Sequence, residues 1–155
     1  PPTFTRILAE HIGAASDWNS AEAKDGDVLK PGHIYVAPGD FHMEIVDSPA
    51  GAMIKTNQNP PEHFCRPAVD PMLRSVSRVF GSRVLVTILT GMGNDGLKGG
   101  KVVTEADGTV IAQDEKTSVV WGMPGAATTT GICSAVLPID QLGAHIIGLI
   151  RKGAR

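Results

Sequence analysis

A run of seven mostly branched apolar residues, Val84 to Thr90, is followed directly by a turn that contains three glycines. Such a run is typical of a parallel strand, because a strand that is covered on both faces does not need to alternate apolar with polar residues. Gly91, Gly93 and Gly96 let the backbone turn sharply and approach a ligand closely. The strand and turn therefore predict an α/β fold with a site at the carboxyl end of a central strand.

Asp95 is the charged side chain of this turn, and two interpretations of it are open. At the carboxyl end of a strand, it lies where open α/β sheets hold their ligands. Aspartate is also favoured at the start of any helix, where its carboxylate accepts hydrogen bonds from free amides. The local sequence supports both interpretations about equally.

The glycine spacing of the turn also matches the fingerprint of dinucleotide-binding folds. The acids Asp114 and Glu115 follow the next predicted strand, at roughly the 20-residue spacing of a ribose ligand. A lone fingerprint is a weak indication, and Asp95 argues against it. Its carboxylate would repel a pyrophosphate at the same helix N-terminus.

Hydrophobic periodicity and turn residues divide the rest of the chain into short elements. The predicted helices cover residues 3–13, 72–80, 97–106, 122–127 and 139–152, and the predicted strands cover 19–23, 33–37, 43–46, 52–56, 84–90, 109–113 and 135–137, with a short extended stretch at 118–121. Strands that alternate with helices predict a doubly wound, mostly parallel, Rossmann-like sheet. The strands at 43–56 form an antiparallel hairpin, which is expected at the edge of that sheet or as a flap over it.

Four helices carry further expectations. Asp70 is the predicted N-cap of the second helix, with Pro71 in its first turn. Gly99 and Gly100 weaken the third helix and suggest close packing against a neighbour. The apolar residues of the first and last helices are expected to face the core: Phe4, Ile7, Leu8 and Ile12 in the first, and Leu142, Ile146, Leu149 and Ile150 in the last.

Composition narrows the possible partners and compartment. With 155 residues, 19% charged residues and a formal net charge of −2, the chain is one domain without a basic cluster for nucleic acid. Its apolar runs are far shorter than the ~20 residues of a membrane span. No leader precedes Pro1, and Cys65 and Cys133 are too far apart for a CxxC motif, so we expect a cytoplasmic protein with reduced cysteines and no membrane insertion.

The histidines give little indication of a metal or cofactor. The chain has five of them, but none stands at ligand spacing, so we predict no metal site and no cofactor. His63 and Cys65 place a base near a thiol, but their proline-rich surroundings favour a loop over a catalytic cysteine. His33 and His42 are expected to be hydrogen-bonding surface or flap residues.

Several motifs, taken together and in order, resemble one family. They are Pro31-Gly-His33, Ala37-Pro-Gly-Asp-Phe-His-Met43, Arg66-Pro-Ala-Val-Asp70, Leu89-Thr-Gly-Met-Gly-Asn-Asp-Gly96, Ile111-Ala-Gln113 and Gly122-Met-Pro124. From Pro1 to about Ile150 the chain is similar to the catalytic domain of the chemotaxis protein-glutamate methylesterases, the CheB family. This resemblance displaces the dinucleotide interpretation.

The resemblance implies a serine hydrolase with a Ser-His-Asp triad that removes methyl esters from chemoreceptor glutamates and deamidates receptor glutamines. Asp95 matches the triad aspartate, which orients the histidine and stabilises its protonated form. Met92 matches the residue whose backbone amide helps to form the oxyanion or substrate pocket. Chemoreceptors are the implied partners, and an upstream receiver domain is the implied regulator.

The chain also departs from the family pattern. In the family the serine lies in a Gly-Ala-Ser-Thr-Gly-Gly loop, and the histidine lies in a Gln-His-Met segment just before a Pro-Pro pair that matches Pro1 and Pro2. We therefore expect residues 1–155 to be a methylesterase domain without its first strands, inactive alone. The alternative is a non-catalytic module of the same fold that docks on receptors or regulators.

Overall fold

A computed structural model describes residues 1–153, which form five α-helices, a short 3₁₀ helix and seven β-strands. The helices are α1 (Pro2–Ser16), α2 (Val69–Phe80), α3 (Leu97–Glu105), α4 (Met123–Thr129) and α5 (Ile139–Gly153), and the 3₁₀ helix spans Gly81–Arg83. The strands are β1 (Asn19–Glu22), β2 (His33–Val36), β3 (His42–Ser48), β4 (Gly51–Asn57), β5 (Leu85–Ile88), β6 (Thr109–Gln113) and β7 (Ala135–Leu137). Across this range, every helix is too short or too polar to cross a lipid bilayer.

The strands pair into three sheets. β1 and β2 are parallel, β3 and β4 are antiparallel, and β5, β6 and β7 form a parallel sheet with β6 in the middle. The predicted α/β class with mostly parallel strands and one hairpin is confirmed. The hairpin is a two-stranded sheet separate from the parallel one. The edge of β4 that does not pair with β3 forms backbone hydrogen bonds with residues 26–29.

The parallel sheet and the hairpin share α2 as a common packing partner. Val110, Ile111 and Ala112 of β6 are completely buried, because this strand has a neighbour on each edge and is packed by α3 and α4. Met72 and Val76 of α2 contact both the core at the parallel sheet and the core at the hairpin. The helix therefore fixes the position of the hairpin relative to the sheet.

The glycines of α3 allow it to pack closely on α2, as predicted. Gly99 is buried, and a Cβ at this position would lie 2.6 Å from the Cβ of Leu73 and 3.0 Å from the carbonyl oxygen of Asp70. Such distances are far below van der Waals contact. The entropic cost of glycine in this helix is thus offset by an approach that no larger residue permits.

Other expectations were wrong in detail. α2 begins at Val69 with Ala68 as its N-cap, so Asp70 lies inside the first turn. Residues 118–121 contribute one bridge at Trp121 and no strand. The expected core faces of two helices are largely uncovered within residues 1–153: Ala9 is buried in α1 and Leu142 in α5, whereas Phe4, Leu8 and Ile150 are exposed.

Candidate active site

The loop that follows β5 is held in place by a second loop at residues 120–123. The Gly91 amide donates to the carbonyl of Val120 over 3.0 Å, and the Met123 amide donates to the carbonyl of Gly91 over 2.8 Å. A Cβ on Gly122 would lie 2.8 Å from the amide nitrogen of Gly93. The two loops therefore touch backbone to backbone, which requires glycine at position 122.

Gln113, at the end of β6, ties the same loop to the next one. Its Oε1 accepts a hydrogen bond of 2.9 Å from the Thr90 amide, and its Nε2 donates over 2.7 Å to the carbonyl of Thr117. The side chain is almost completely buried, so both bonds are shielded from water. The carboxyl end of β5 is thus a rigid platform.

The Asp95 carboxylate lies at this platform and is 12% exposed. It accepts three backbone hydrogen bonds, from Val69 at 2.7 Å, from Asp70 at 2.9 Å and from Gly96 at 2.9 Å. The first two amides belong to the N-terminal turn of α2, whose dipole complements a negative charge. Asp95 is therefore a helix cap, but chiefly of α2 and not of the helix that follows it in sequence.

His42 satisfies the backbone amide just before these two, that of the N-cap residue Ala68. The Ala68 amide donates to His42 Nδ1 over 3.2 Å, so the ring carries its proton on Nε2 and donates it to the carbonyl of Pro60 over 3.1 Å. The His42 residue is 1% exposed. The expected hydrogen-bonding role is confirmed, but the expected surface position was wrong.

Asp70 and His63 form a second acid–histidine pair beside Asp95. The Asp70 carboxylate is completely buried and accepts a hydrogen bond of 2.6 Å from the Gly99 amide. Its other oxygen lies 2.7 Å from His63 Nε2, and the same nitrogen lies 3.9 Å from Asp95 Oδ1. Local sequence patterns do not indicate this pair, because seven positions separate the two residues and Asp70 resembles an ordinary helix cap.

His63 stands on a tight turn that projects over the Asp95 carboxylate. Glu62 and Cys65 exchange two backbone hydrogen bonds, of 3.1 and 2.8 Å, and the residues between them, His63 and Phe64, have φ values of 51° and 62°. Positive φ at both central positions is typical of a type I′ turn, which usually contains Asn or Gly. A histidine and a phenylalanine are unusual there.

An ion pair anchors the base of the turn to α2. Arg74 donates from both terminal nitrogens to the two carboxylate oxygens of Glu62. The hydrogen bond from Arg74 lowers the pKa of Glu62 below its ordinary value, and the charge of Arg74 adds to this effect. The turn is therefore fixed at its base by Glu62 and near its tip by His63.

The turn and the glycine loop enclose a cavity of about 240 Å³. Met92, which is 83% exposed, and Phe64, which is fully exposed, both line it. The remaining lining residues are His63, Cys65, Gly93, Asn94 and Asp95. A carboxylate and two uncovered apolar side chains thus share one small crevice.

One group of side chains could approach a metal ion, namely Glu62, His63 and Asp70, whose ligand atoms lie within 4.8 Å of one another. Each carboxylate already has partners that a metal would displace. Glu62 is paired with Arg74, and Asp70 accepts the Gly99 amide and contacts His63. A cation would also meet the positive charge of Arg74, so these residues are better explained as structural supports.

The structure brings together part of what the sequence predicted. Asp95 and Met92 lie on the same loop at the same crevice, as expected. Cys65 is exposed at the crevice, but His63 hydrogen-bonds Asp70 and not the thiol. A catalytic cysteine would therefore have no activating base.

The dinucleotide interpretation also lacks support. Asp114 closes a local turn with Thr117, and Asp95 occupies the start of α3, where a pyrophosphate would have to bind.

Comparison with known proteins identifies the family. The family model for CheB methylesterase matches residues 1–146, and the chain therefore belongs to the CheB methylesterase family. The crystal structure of the Thermotoga maritima CheB methylesterase catalytic domain superposes with a TM-score of 0.93 at 38% identity, covering 96% of this chain and 79% of that one. The fold and the order of its elements are those of that catalytic domain.

Curated relatives agree with this assignment. A protein of Paramagnetospirillum magneticum named protein-glutamate methylesterase/protein-glutamine glutaminase 1 is 59% identical over 98% of this chain. A Rhodospirillum rubrum protein of the same name is 56% identical over 98% of this chain. The chain spans 40% and 39% of the length of these two relatives.

Proposed function

We propose that this chain is the larger part of the catalytic domain of a protein-glutamate methylesterase that also deamidates protein glutamines. The observation that carries the proposal is the Asp95 carboxylate, held by three backbone amides at the mouth of a crevice at the carboxyl end of β5. The names of the relatives supply the reaction class. In this proposal Asp95 is the acid of a Ser-His-Asp triad.

A triad aspartate must hold its histidine in one tautomer and stabilise the imidazolium that forms during attack. Both tasks need a carboxylate of fixed orientation. The hydrogen bonds from Val69 and Asp70 fix both oxygens of Asp95, and the positive end of the α2 dipole complements its charge. The remaining exposed part of the carboxylate faces the crevice, where the imidazole would approach.

Met92 is the proposed donor to the oxyanion. Its side chain points to solvent, and within residues 1–153 its backbone amide has no protein acceptor. Gly91, before Met92, is hydrogen-bonded to the loop at 120–123, and Gly93, after it, lies against Gly122, so the amide direction is set before a substrate arrives. An amide fixed in this way stabilises charge as it develops on the carbonyl oxygen.

The serine and histidine are proposed to come from a segment that precedes Pro1 in the natural protein. Three observations support this. β5 is paired on one edge only among the described residues, and an apolar cavity of about 360 Å³ runs along β5 and the residue on either side of it. The apolar side chains of Phe4 and Leu8 on α1 are exposed. The Thermotoga maritima domain is longer than the part that this chain matches.

The proposed chemistry is acyl transfer. The serine Oγ would attack the carbonyl carbon of the glutamate methyl ester while the histidine takes the serine proton. The tetrahedral oxyanion would be held by the Met92 amide. The histidine would then give its proton to the methoxide, which leaves as methanol, and water would hydrolyse the acyl-enzyme to release glutamate. A glutamine would follow the same path and release ammonia.

The substrates, the partner domain and the cellular compartment are part of the same proposal. The substrates would be methylated chemoreceptors, the partner domain a receiver domain that precedes the catalytic domain, and the compartment the cytoplasm. The greater length of the relatives leaves room for such a domain. Both cysteines are free thiols, which is the usual state in a reducing compartment.

The test measures methanol released from methylated receptor by the natural full-length protein. Asp95→Asn is expected to lower kcat by about 10⁴-fold, the loss typical of a triad aspartate. Asp47→Asn, on the exposed side of the hairpin, is the matched control and should leave kcat unchanged. If the wild type binds receptor but releases no methanol, the chain is a docking module and the esterase proposal fails.

A further inference from the structure

The crevice has an apolar rim that the triad chemistry does not use. Phe64 is fully exposed and Met92 is 83% exposed, and both line the cavity that contains Asp95. A small ester group would need no such surface. Uncovered aromatic side chains beside a catalytic cavity are typical of surfaces that bind a macromolecule.

The rim is also held in an unfavourable conformation. Phe64 has φ 62° and follows His63 at φ 51°, and neither residue tolerates this region as glycine or asparagine does. Nothing in the fold of residues 1–153 needs the aromatic ring, because the ring packs against no core. Strain that persists at an exposed site beside a cavity points to a role in function.

The turn that carries Phe64 is braced at two points. The ion pair of Glu62 with Arg74 fixes its base, and the contact of His63 with the buried Asp70 fixes its tip. Met92 lines the same cavity and has a flexible thioether side chain. An aromatic ring and an adaptable methionine at one crevice suit apolar side chains of varying shape.

We propose that Phe64 and Met92 form an apolar clamp that recognises the residues flanking the target glutamate in the substrate protein. This inference rests on the proposed esterase function and adds a determinant of its specificity. The occupant is a polypeptide segment with apolar residues beside the ester, because the relatives act on glutamates within proteins and the clamp is continuous with the Asp95 crevice. Charged flanks would lose solvation against Phe64 and Met92 and bind less well.

The experiment compares three esters with the natural full-length protein, with methanol release as the readout. The first is a synthetic peptide with one glutamate γ-methyl ester flanked by leucines, the second is the same peptide with serines in place of leucines, and the third is the γ-methyl ester of N-acetylglutamate amide. Phe64→Ala should raise KM for the leucine-flanked peptide about 10-fold while kcat changes less than about twofold, as expected for the loss of a binding anchor. Turnover of the small ester should not change.

Two further variants separate recognition from folding. Phe64→Leu keeps an apolar contact and should recover most of the affinity. Phe64→Gly should be at least as stable as the wild type, since glycine adopts positive φ freely, yet should bind the leucine-flanked peptide as weakly as Phe64→Ala. Asp47→Asn, on the exposed side of the hairpin and outside the crevice, is the matched control and should leave KM unchanged.

The outcomes distinguish this inference from the proposed function. If the wild type hydrolyses all three esters and Asp95→Asn abolishes that activity, but Phe64→Ala leaves every KM unchanged, the clamp is overturned and the esterase stands. Equal KM values of the wild type for the leucine- and serine-flanked peptides would also overturn the clamp. If the wild type releases methanol from methylated receptor but hydrolyses none of the three esters, the clamp fails and the esterase stands. If it releases no methanol from receptor either, both proposals fail.

Discussion

Asp95 Oδ2 accepts a hydrogen bond of 2.7 Å from the backbone amide of Val69, which lies 26 positions earlier in the chain. The residue at the helix N-cap, Ala68, has no side chain that could do this. A single carboxylate therefore orients the proposed catalytic site and satisfies the first turn of α2. Asp95 thus links the stability of α2 to the proposed activity.

The first prediction concerns this coupling. Asp95→Asn replaces one acceptor oxygen with a donor, which leaves an α2 amide facing an NH₂ group. We expect the free energy of unfolding to fall by about 1–2 kcal/mol, the usual value of a lost helix cap. Urea unfolding of the natural full-length protein, followed by circular dichroism, measures the change. Asp47→Asn should show none, and equal stability of wild type and Asp95→Asn would mean that α2 does not depend on this cap.

The capping of α2 by Asp95 is a long-range contact, and local sequence patterns do not predict such contacts. The strand predicted at 84–90 is shorter in the structure, where β5 spans Leu85–Ile88. The glycine turn and the close packing at Gly99 follow from local composition, and the structure contains both. The prediction that Asp70 is the N-cap was wrong, because the amides of the first turn of α2 are accepted by Asp95, which lies on another loop. The actual contacts of the Asp70 carboxylate are with the Gly99 amide and His63.

The predicted burial of the apolar faces of α1 and α5 was wrong for a different reason. Their apolar periodicity correctly predicted helices, but periodicity does not say which element covers the apolar face. The exposed position of Phe64 on a turn with positive φ could not be predicted from the sequence. A phenylalanine at positive φ contradicts its own backbone preference, and such contradictions are expected where function and not stability selects the residue.

The second prediction concerns the contact between α2 and α3. Gly99→Ala should lower the free energy of unfolding by about 1–3 kcal/mol, because overpacking against Leu73 and Asp70 outweighs the gain in helix propensity. Gly143→Ala is the matched control in α5, where a Cβ meets nothing within 4 Å. That variant should gain about 0.5–1 kcal/mol. Stabilisation by Gly99→Ala would show that α3 can move away from α2 without cost.

The third prediction is a pH dependence at the turn. Arg74 lowers the pKa of Glu62 in the folded protein, below the ordinary value of 4.5. The ion pair therefore contributes its full stability above pH 4.5 and loses it as the pH falls through the lowered pKa. Because both side chains are about a third exposed, the contribution should be only about 0.5–1 kcal/mol.

Glu62→Gln tests this dependence. The wild type should be more stable than Glu62→Gln at pH 7, and the difference should shrink progressively as the pH is lowered below 4.5. Arg74→Gln should show the same profile, since it removes the other partner. A difference that stays constant from pH 7 to pH 3 would show that packing of the turn, and not the charge of Glu62, is responsible.

The fourth prediction compares the two thiols. Burial raises the pKa of Cys133, so little reactive thiolate forms there at neutral pH, whereas Cys65 is exposed at the crevice. Iodoacetamide should therefore label Cys65 at least about 10-fold faster than Cys133. Mass spectrometry of peptides over a time course measures both rates.

Two variants assign the phases. Cys65→Ser should remove the fast phase, and Cys133→Ser should remove the slow one. Raising the pH should accelerate the slow phase, over a pH range higher than that of an ordinary thiol. Equal rates would require the region around Cys133 to open readily, which the buried contacts of β6 and α4 argue against.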